Sequence, residues 1–212
     1  LGADCDVYAD EIESKGLKGV SCRIHLGEES FSVLVPMPGI HMVYNALAAS
    51  AVGRIYNLTV EEIKRGIESL EAISGRFKMI ETDKLLIVDD CYNANPMSMK
   101  ASLDVLHDGA GRRVAILGDM GELGENEIRL HEEVGAHAAS CGIGCCICVG
   151  ELSYHMAEAA RRADPGFSVI YVKNREQLLE HLKEYVQKGD TVLVKASHFM
   201  KFEEVVKALE EW

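Results

Sequence analysis

From residue 84 to the carboxyl terminus the chain alternates without a break between short apolar runs and longer amphipathic stretches, and this regularity restricts the fold more than any other feature. The runs read as strands over 84–90, 113–118, 145–149, 168–172 and 191–195. The stretches between them read as helices over 96–107, 126–140, 152–162, 175–187 and 198–210. A run such as Cys-Cys-Ile-Cys-Val at 145–149 has no polar face, so both of its surfaces must be covered. That is the pattern of a parallel sheet between two helix layers. With right-handed crossovers it predicts a Rossmann-like, doubly wound, mostly parallel α/β domain.

The preceding third reads differently. Residues 1–36 hold short alternating runs, VSCRIHL and SFSVLV, around Gly27, Glu28 and Glu29, which is hairpin-like β structure. An Ala-rich helix follows over 45–56 and a second over 59–70, opened by a capping box of Thr59 and Glu62. Residues 74–77 form a loop into a strand pair, 78–81 and 84–90. A domain break is therefore expected between residues 78 and 79.

Charge and cysteine usage exclude several roles. Lys and Arg number 22 against 34 Asp and Glu, a formal charge of −12 that repels a phosphate backbone, so no nucleic acid is expected as a partner. No apolar run approaches the ~18 residues of a membrane span, and the acidic start has no secretory signal. Seven cysteines, an odd number, fit reduced thiols in the cytoplasm. Cys141, Cys145, Cys146 and Cys148 suggest a metal only superficially, because alternate thiols of a strand point to opposite faces, and no metal ligand set is expected. A monomer acting on a small substrate is the expectation.

Parallel strands end on a common edge, where open α/β sheets bind ligands. Here that edge collects Asp89 and Asp90, Gly118 and Asp119, Gly150 and Glu151, Lys173 and Asn174, and Lys195 to His198. The segment DDCYNANPMSM over 89–99 ends a strand in two carboxylates and enters a helix with Asn95 as N-cap and Pro96 as first residue. Asp89 or Asp90 either meets a ligand or braces the turn. The loop GDMGELGE over 118–125 matches no phosphate-binding glycine pattern, and Asp119, Glu122 and Glu125 repel phosphate. It suits an ammonium group, a metal, or simply solvent. Lys195, Ser197 and His198 put a cation, a hydroxyl and free helix N–H groups together, an anion site unless Ser197 only caps the helix. His131, after the acidic loop, faces either the substrate or the core.

Five segments, PGIHMVYNALAA (38–49), SGRF (74–77), DDCYNANPMSM, LGDMGELG (117–124) and LVKASHFMKFEEVV (193–206), occur in an order that resembles the Mur ligases of bacterial peptidoglycan synthesis. The resemblance implies that 1–78 ends a central ATP-binding domain and 79–212 is the C-terminal domain. It implies an ATP- and Mg2+-dependent ligase that joins D-alanyl-D-alanine to UDP-N-acetylmuramoyl-tripeptide through an acyl phosphate. It assigns nucleotide contacts to His41, Asn45, Arg76 and Asp90, with Met42 standing where the family often has Asn. On the substrate side stand Asn93, Asn95, Asp119, Glu122, His131, Lys195, Ser197 and His198. The family's P-loop has no counterpart here and is expected upstream of Leu1, so this chain alone is expected to be inactive. Two alternatives remain: another ligase of the superfamily, such as one like folylpolyglutamate synthetase, and a Rossmann-like binding module without catalysis.

Overall fold

The computed structural model describes residues 5–212, which divide into two compact units between Glu71 and Ala72. In the first unit, period-two alternation builds an antiparallel sheet of β1 (Val7–Ser14), β2 (Val20–Leu26) and β3 (Glu29–Val35) in that order. The expected hairpin is β2–β3; β1 adds a third strand, and the first four residues of that stretch lie outside the described residues. Val20, Ile24, Phe31, Val33 and Val35 bury one face against α1 (Met42–Ile55) and α2 (Val60–Glu68) through Val43, Ala46, Ile63 and Ile67. The capping box opens α2 as expected: Thr59 Oγ1 accepts from the Glu62 N–H, and the Thr59 N–H donates to Glu62 Oε2 at 2.8 Å. Helix α1 starts three residues before the expected position, so Asn45 lies within its first turns, not at its cap. Tyr44, Ala48, Val52 and Ile55 form an exposed stripe along α1.

The second unit holds the predicted α/β alternation. Its six-stranded sheet comprises β4 (Lys78–Glu81), β5 (Leu86–Asp89), β6 (Arg113–Gly118), β7 (Cys145–Val149), β8 (Val169–Val172) and β9 (Thr191–Lys195), in the order β4-β5-β9-β6-β7-β8. Only β4 runs antiparallel, on β5. The helices are α3 (Pro96–Leu106), α4 (Glu127–Ser140), α5 (Ser153–Ala163), α6 (Arg175–Tyr185) and α7 (Glu203–Glu210). Steps from β5 through β8 advance in one direction and place α3, α4 and α5 on one face. The return from β8 to β9 places α6 and α7 on the other. Ile87, Ile116, Ile147 and Val194 meet Leu178, Leu182, Phe202 and Val205 on the α6–α7 face, and their sequence neighbours Val88, Leu117, Cys146 and Leu193 are fully buried on the other. Burial therefore pushes the Cys145 thiol up, and Cys146, 3.6 Å from Cys148 Sγ, is held protonated by that contact and by burial.

Two boundaries differ from expectation. The break between compact units falls between Glu71 and Ala72, not 78 and 79, because residues 74–77 are tied to the end of β5. The expected helix over 198–210 is divided: a single 3-10 turn at His198–Met200, then Lys201 in the left-handed region (φ 53°), then α7.

Close packing makes opposite demands on two helical glycines. A Cβ on Gly135 of α4 would lie 1.9 Å from the Met156 carbonyl oxygen of α5, whereas one on Gly66 of α2 meets nothing within 4 Å. Gly66→Ala should stabilise the first unit by roughly 0.5–1 kcal/mol through helix propensity. Gly135→Ala should destabilise the second by about 1–3 kcal/mol despite the same propensity gain, because two helix backbones must separate. Urea unfolding of each variant checks both signs.

Candidate functional site

The carboxyl ends of the parallel strands do lie on one edge, and β9 sits where the winding reverses, between β5 and β6. Asp89–Asp90, Lys195–Ser197 and Gly118–Met120 therefore come together at this switch point. Consecutive residues of a strand point to opposite faces, so the two aspartates do different work. Asp89, 2% exposed, points to the α7 face, where its Oδ2 accepts from Ser74 Oγ (2.9 Å) and the Gly75 N–H (2.7 Å). Its Oδ1 lies 3.0 Å from Cys91 Sγ, and burial together with that carboxylate holds the Cys91 thiol protonated. Asp90 points to the α3 face. Its Oδ1 accepts from the Phe77 N–H (3.1 Å), and its Oδ2 from Ser102 Oγ (2.7 Å) and Lys195 Nζ (2.6 Å).

These bonds fold the SGRF loop onto the strand end. Phe77 adopts φ 55°, a costly conformation for a bulky residue, and is held by its Asp90 bond and its own burial. The Tyr92 N–H donates to the Gly75 carbonyl at 3.0 Å, and the Arg76 guanidinium lies 4.2 Å from the centre of the Tyr92 ring. His198 tilts against the other part of that cluster, its ring 5.7 Å from Tyr92. Arg76, Tyr92, Asn93 and His198 are all exposed, so the edge presents a cation on an aromatic ring beside an amide and an imidazole.

Several expected contacts take a different form. Lys195 is 3% exposed and is not an open anion receptor: its ammonium donates to Asp90 and to the Asn93 carbonyl (3.1 Å). After Ser197 only one 3-10 turn follows, and the Met200 and Lys201 N–H groups are bonded within it. Ser197 Oγ accepts instead from the Gly121 N–H (2.8 Å), anchoring the acidic loop. Asp119, expected to meet a substrate, turns its Oδ1 to the Ser153 N–H (2.7 Å) and hydroxyl (2.6 Å), capping the start of α5. Gly150 makes room for it, with φ 123° and a hypothetical Cβ 2.4 Å from that carboxylate. Glu122 is exposed in the left-handed region, on the loop crest. Asn95 caps α3, its Oδ1 accepting from the Ser98 N–H at 2.9 Å.

His131 is fully buried. Its Nε2 accepts from the Met120 N–H (3.0 Å), so Nδ1 carries the proton and donates to the Glu127 carbonyl (2.7 Å). The first of these bonds anchors the acidic loop to α4. In the first unit Asn45 is exposed, with its amide nitrogen 3.3 Å from Met42 Sδ, and His41 is exposed just before α1. Sequence reasoning missed Tyr92, Ser102 and Ser153. Ser102 had a visible signal: it is a hydroxyl on a stripe otherwise made of Met99, Leu103 and Leu106.

Burial lowers the His131 pKa from 6.5, so on acidification the unfolded chain takes up the proton first. The stability from neutral His131 is complete above 6.5 and falls as pH drops below it. His131→Leu, which leaves the Met120 N–H unpaired, should cost about 1–3 kcal/mol at pH 8. That gap should narrow toward pH 5 in urea unfolding; a constant gap would contradict the neutral, buried assignment.

A sequence model described as "Mur ligase, glutamate ligase domain" matches residues 75–198. The UDP-N-acetylmuramoyl-tripeptide–D-alanyl-D-alanine ligase of Bacillus subtilis is 38% identical over 180 residues, which is 84% of this chain and 39% of that protein. Its Escherichia coli namesake is 37% identical over 185 residues, 86% of this chain and 40% of that protein. A crystal structure of MurF from Acinetobacter baumannii matches with a TM-score of 0.89 and 29% identity over 100% of this chain and 46% of that one. MurF ligase from Thermotoga maritima in complex with ADP matches with a TM-score of 0.77 and 25% identity, over 97% and 46%. The chain thus spans about two fifths of the length of these curated relatives. A family match over more than half of its residues, beginning in the SGRF loop and ending at His198, establishes that the chain belongs to the Mur ligase family.

Proposed function

We propose that this chain is the carboxy-terminal part of an ATP-dependent ligase that joins D-alanyl-D-alanine to UDP-N-acetylmuramoyl-tripeptide in peptidoglycan synthesis. One observation carries the reading: proteins of that name from two distantly related bacteria align with 84% and 86% of the chain at 38% and 37% identity. Residues 1–71 read as the end of a central ATP-binding domain, and the exposed apolar stripe on α1 supports a larger body of which they are one part. The cytoplasm is the proposed place of this reaction. No helix among the described residues is long and apolar enough to cross a membrane.

The residues present fit one side of a nucleotide. Arg76, spread on Tyr92, offers a planar cation to phosphate or to an adenine ring. Asp90 has three of its four acceptor positions taken, which leaves one on Oδ1 for a ribose hydroxyl. On the first unit, the exposed His41 and Asn45 are the proposed nucleotide contacts. No GxxxxGK[ST] string occurs in the 212 residues to grip phosphates. Among the described residues no group of three or more carboxylates, histidines and thiols close enough to share a metal ion lies at the ligand edge, so a magnesium ion there would depend on the nucleotide's own phosphates.

ATP would supply the phosphoryl group that activates the tripeptide carboxylate. The chain's own residues position: the Asp89 and Asp90 bonds hold Arg76 and Tyr92 at the edge, and Asn93, Glu122 and His198 border it with amide, carboxylate and imidazole. A zwitterionic dipeptide needs an acidic neighbour for its amine and a donor for its carboxylate. Glu122 and His198 are the exposed groups that supply these, while Lys195, Ser197, Asp119, His131 and Asn95 build the frame behind them.

The test is phosphate release by the full-length protein encoded with this chain. Release should require ATP, the UDP-linked tripeptide and D-alanyl-D-alanine together. Arg76→Ala should lower turnover more than ~10-fold while the melting temperature stays within about 2 °C, because an exposed side chain on a ring contributes little to folding. The isolated 212-residue chain should release none. Release with a glutamate or folate substrate instead of the dipeptide would move the chain to another branch of the superfamily.

A further inference from the structure

At the edge of the sheet opposite the ligand edge, the last turns of α3 and α4 bring Asp104, His137 and Cys141 together. One donor atom from each lies within 4.8 Å of the others. His137 Nε2 is 2.7 Å from Asp104 Oδ1, and Cys141 Sγ is 3.6 Å from the same oxygen. Cys141, the residue that ends α4, stands four residues after His137, the spacing that puts two side chains on one helix face. The third donor comes from the neighbouring helix. We propose that Asp104, His137 and Cys141 form a zinc-class metal site that fastens α3 to α4.

The donor set is what selects the ion. A thiolate, an imidazole and a carboxylate together suit Zn2+, which takes sulfur at about 2.3 Å and nitrogen or oxygen at about 2.0–2.2 Å, and do not suit Mg2+ or Ca2+, which take oxygen alone. Tetrahedral coordination at those lengths separates ligand atoms by roughly 3.3–3.8 Å. The Sγ to Oδ1 distance already lies in that range, and the His137–Asp104 bond must open by roughly half an ångström. Asp104 is exposed and His137 half-buried, so the site has an entry path and a position left for water. The surroundings hold the ligands in place: the Ser140 hydroxyl donates to the His137 carbonyl at 2.7 Å, and His107 Nδ1 lies 2.8 Å from the Cys141 carbonyl. The simpler role, an imidazole–carboxylate pair beside a free thiol, is the competing outcome. The site lies away from the ligand edge, so it stands or falls independently of the proposed reaction.

The experiment is a titration of the reduced, chelator-treated 212-residue chain with Zn2+ by calorimetry and with Co2+ by absorption. One equivalent should bind with a dissociation constant in the micromolar range, Co2+ should give a thiolate-to-metal charge-transfer band, and Zn2+ should raise the melting temperature. Cys141→Ser should abolish the band, and Cys141→Ser and His137→Ala should each weaken Zn2+ by at least about 10-fold. Asp104→Asn, at an exposed position with no core to lose, should weaken it as well, and Cys5→Ser should leave it unchanged. Absence of saturable binding, or binding and a band that survive Cys141→Ser and Asp104→Asn intact, would overturn the assignment.

Discussion

Two adjacent carboxylates at the end of one strand organise the candidate site, and everything functional at that edge depends on where their four oxygens go. Because neighbours on a strand face opposite ways, Asp89 reaches the backbone of the SGRF loop and Asp90 reaches Phe77, Ser102 and Lys195. The pair thereby ties the loop before the sheet, the helix after β5 and the strand that reverses the winding. The Asp90–Lys195 pair is the costly member: both charges are largely withdrawn from water, and the 2.6 Å contact is tolerable only because each also has other partners. A loop held this way can keep Phe77 in a strained conformation and Arg76 spread on Tyr92 before any ligand arrives.

The same economy appears in the acidic loop. Its carboxylates are not equivalent: Asp119 is spent on the start of α5, while Glu122 remains outside. His131 and Ser197 pin its backbone at Met120 and Gly121, so that the loop is fixed from beneath by two side chains that read, in sequence, as ligand contacts. The edge therefore has an inner frame of hydrogen-bonded side chains behind an outer row of exposed ones, the arrangement that pre-organises a binding site.

Much of this was legible beforehand, and the rest failed for definite reasons. The strands at 113–118, 145–149 and 191–195 fall where their apolar runs place them, since glycine or polar residues bound each run. Asn95 and Thr59 cap their helices as local side-chain bonding dictates. The ligand edge follows from strand polarity alone. What periodicity could not reveal was which of the polar groups on that edge face inward. Lys195 looks the same in sequence whether it is solvated or paired, because its partner Asp90 is 105 residues away. The last helix reads as continuous in sequence because no proline or glycine marks Lys201, whose left-handed φ interrupts it.

The Asp90–Lys195 pair is an interdependent unit, not two surface charges, and a double-mutant cycle in the 212-residue chain tests this most directly. Lys195→Met should cost about 3–5 kcal/mol because it leaves Asp90 charged and poorly solvated, and Asp90→Asn should strand the buried ammonium at similar cost. The double variant should be no worse than either single one, a coupling above roughly 2 kcal/mol. Single losses below about 0.5 kcal/mol that simply add would contradict it, and would return Lys195 to the open edge as a free cation.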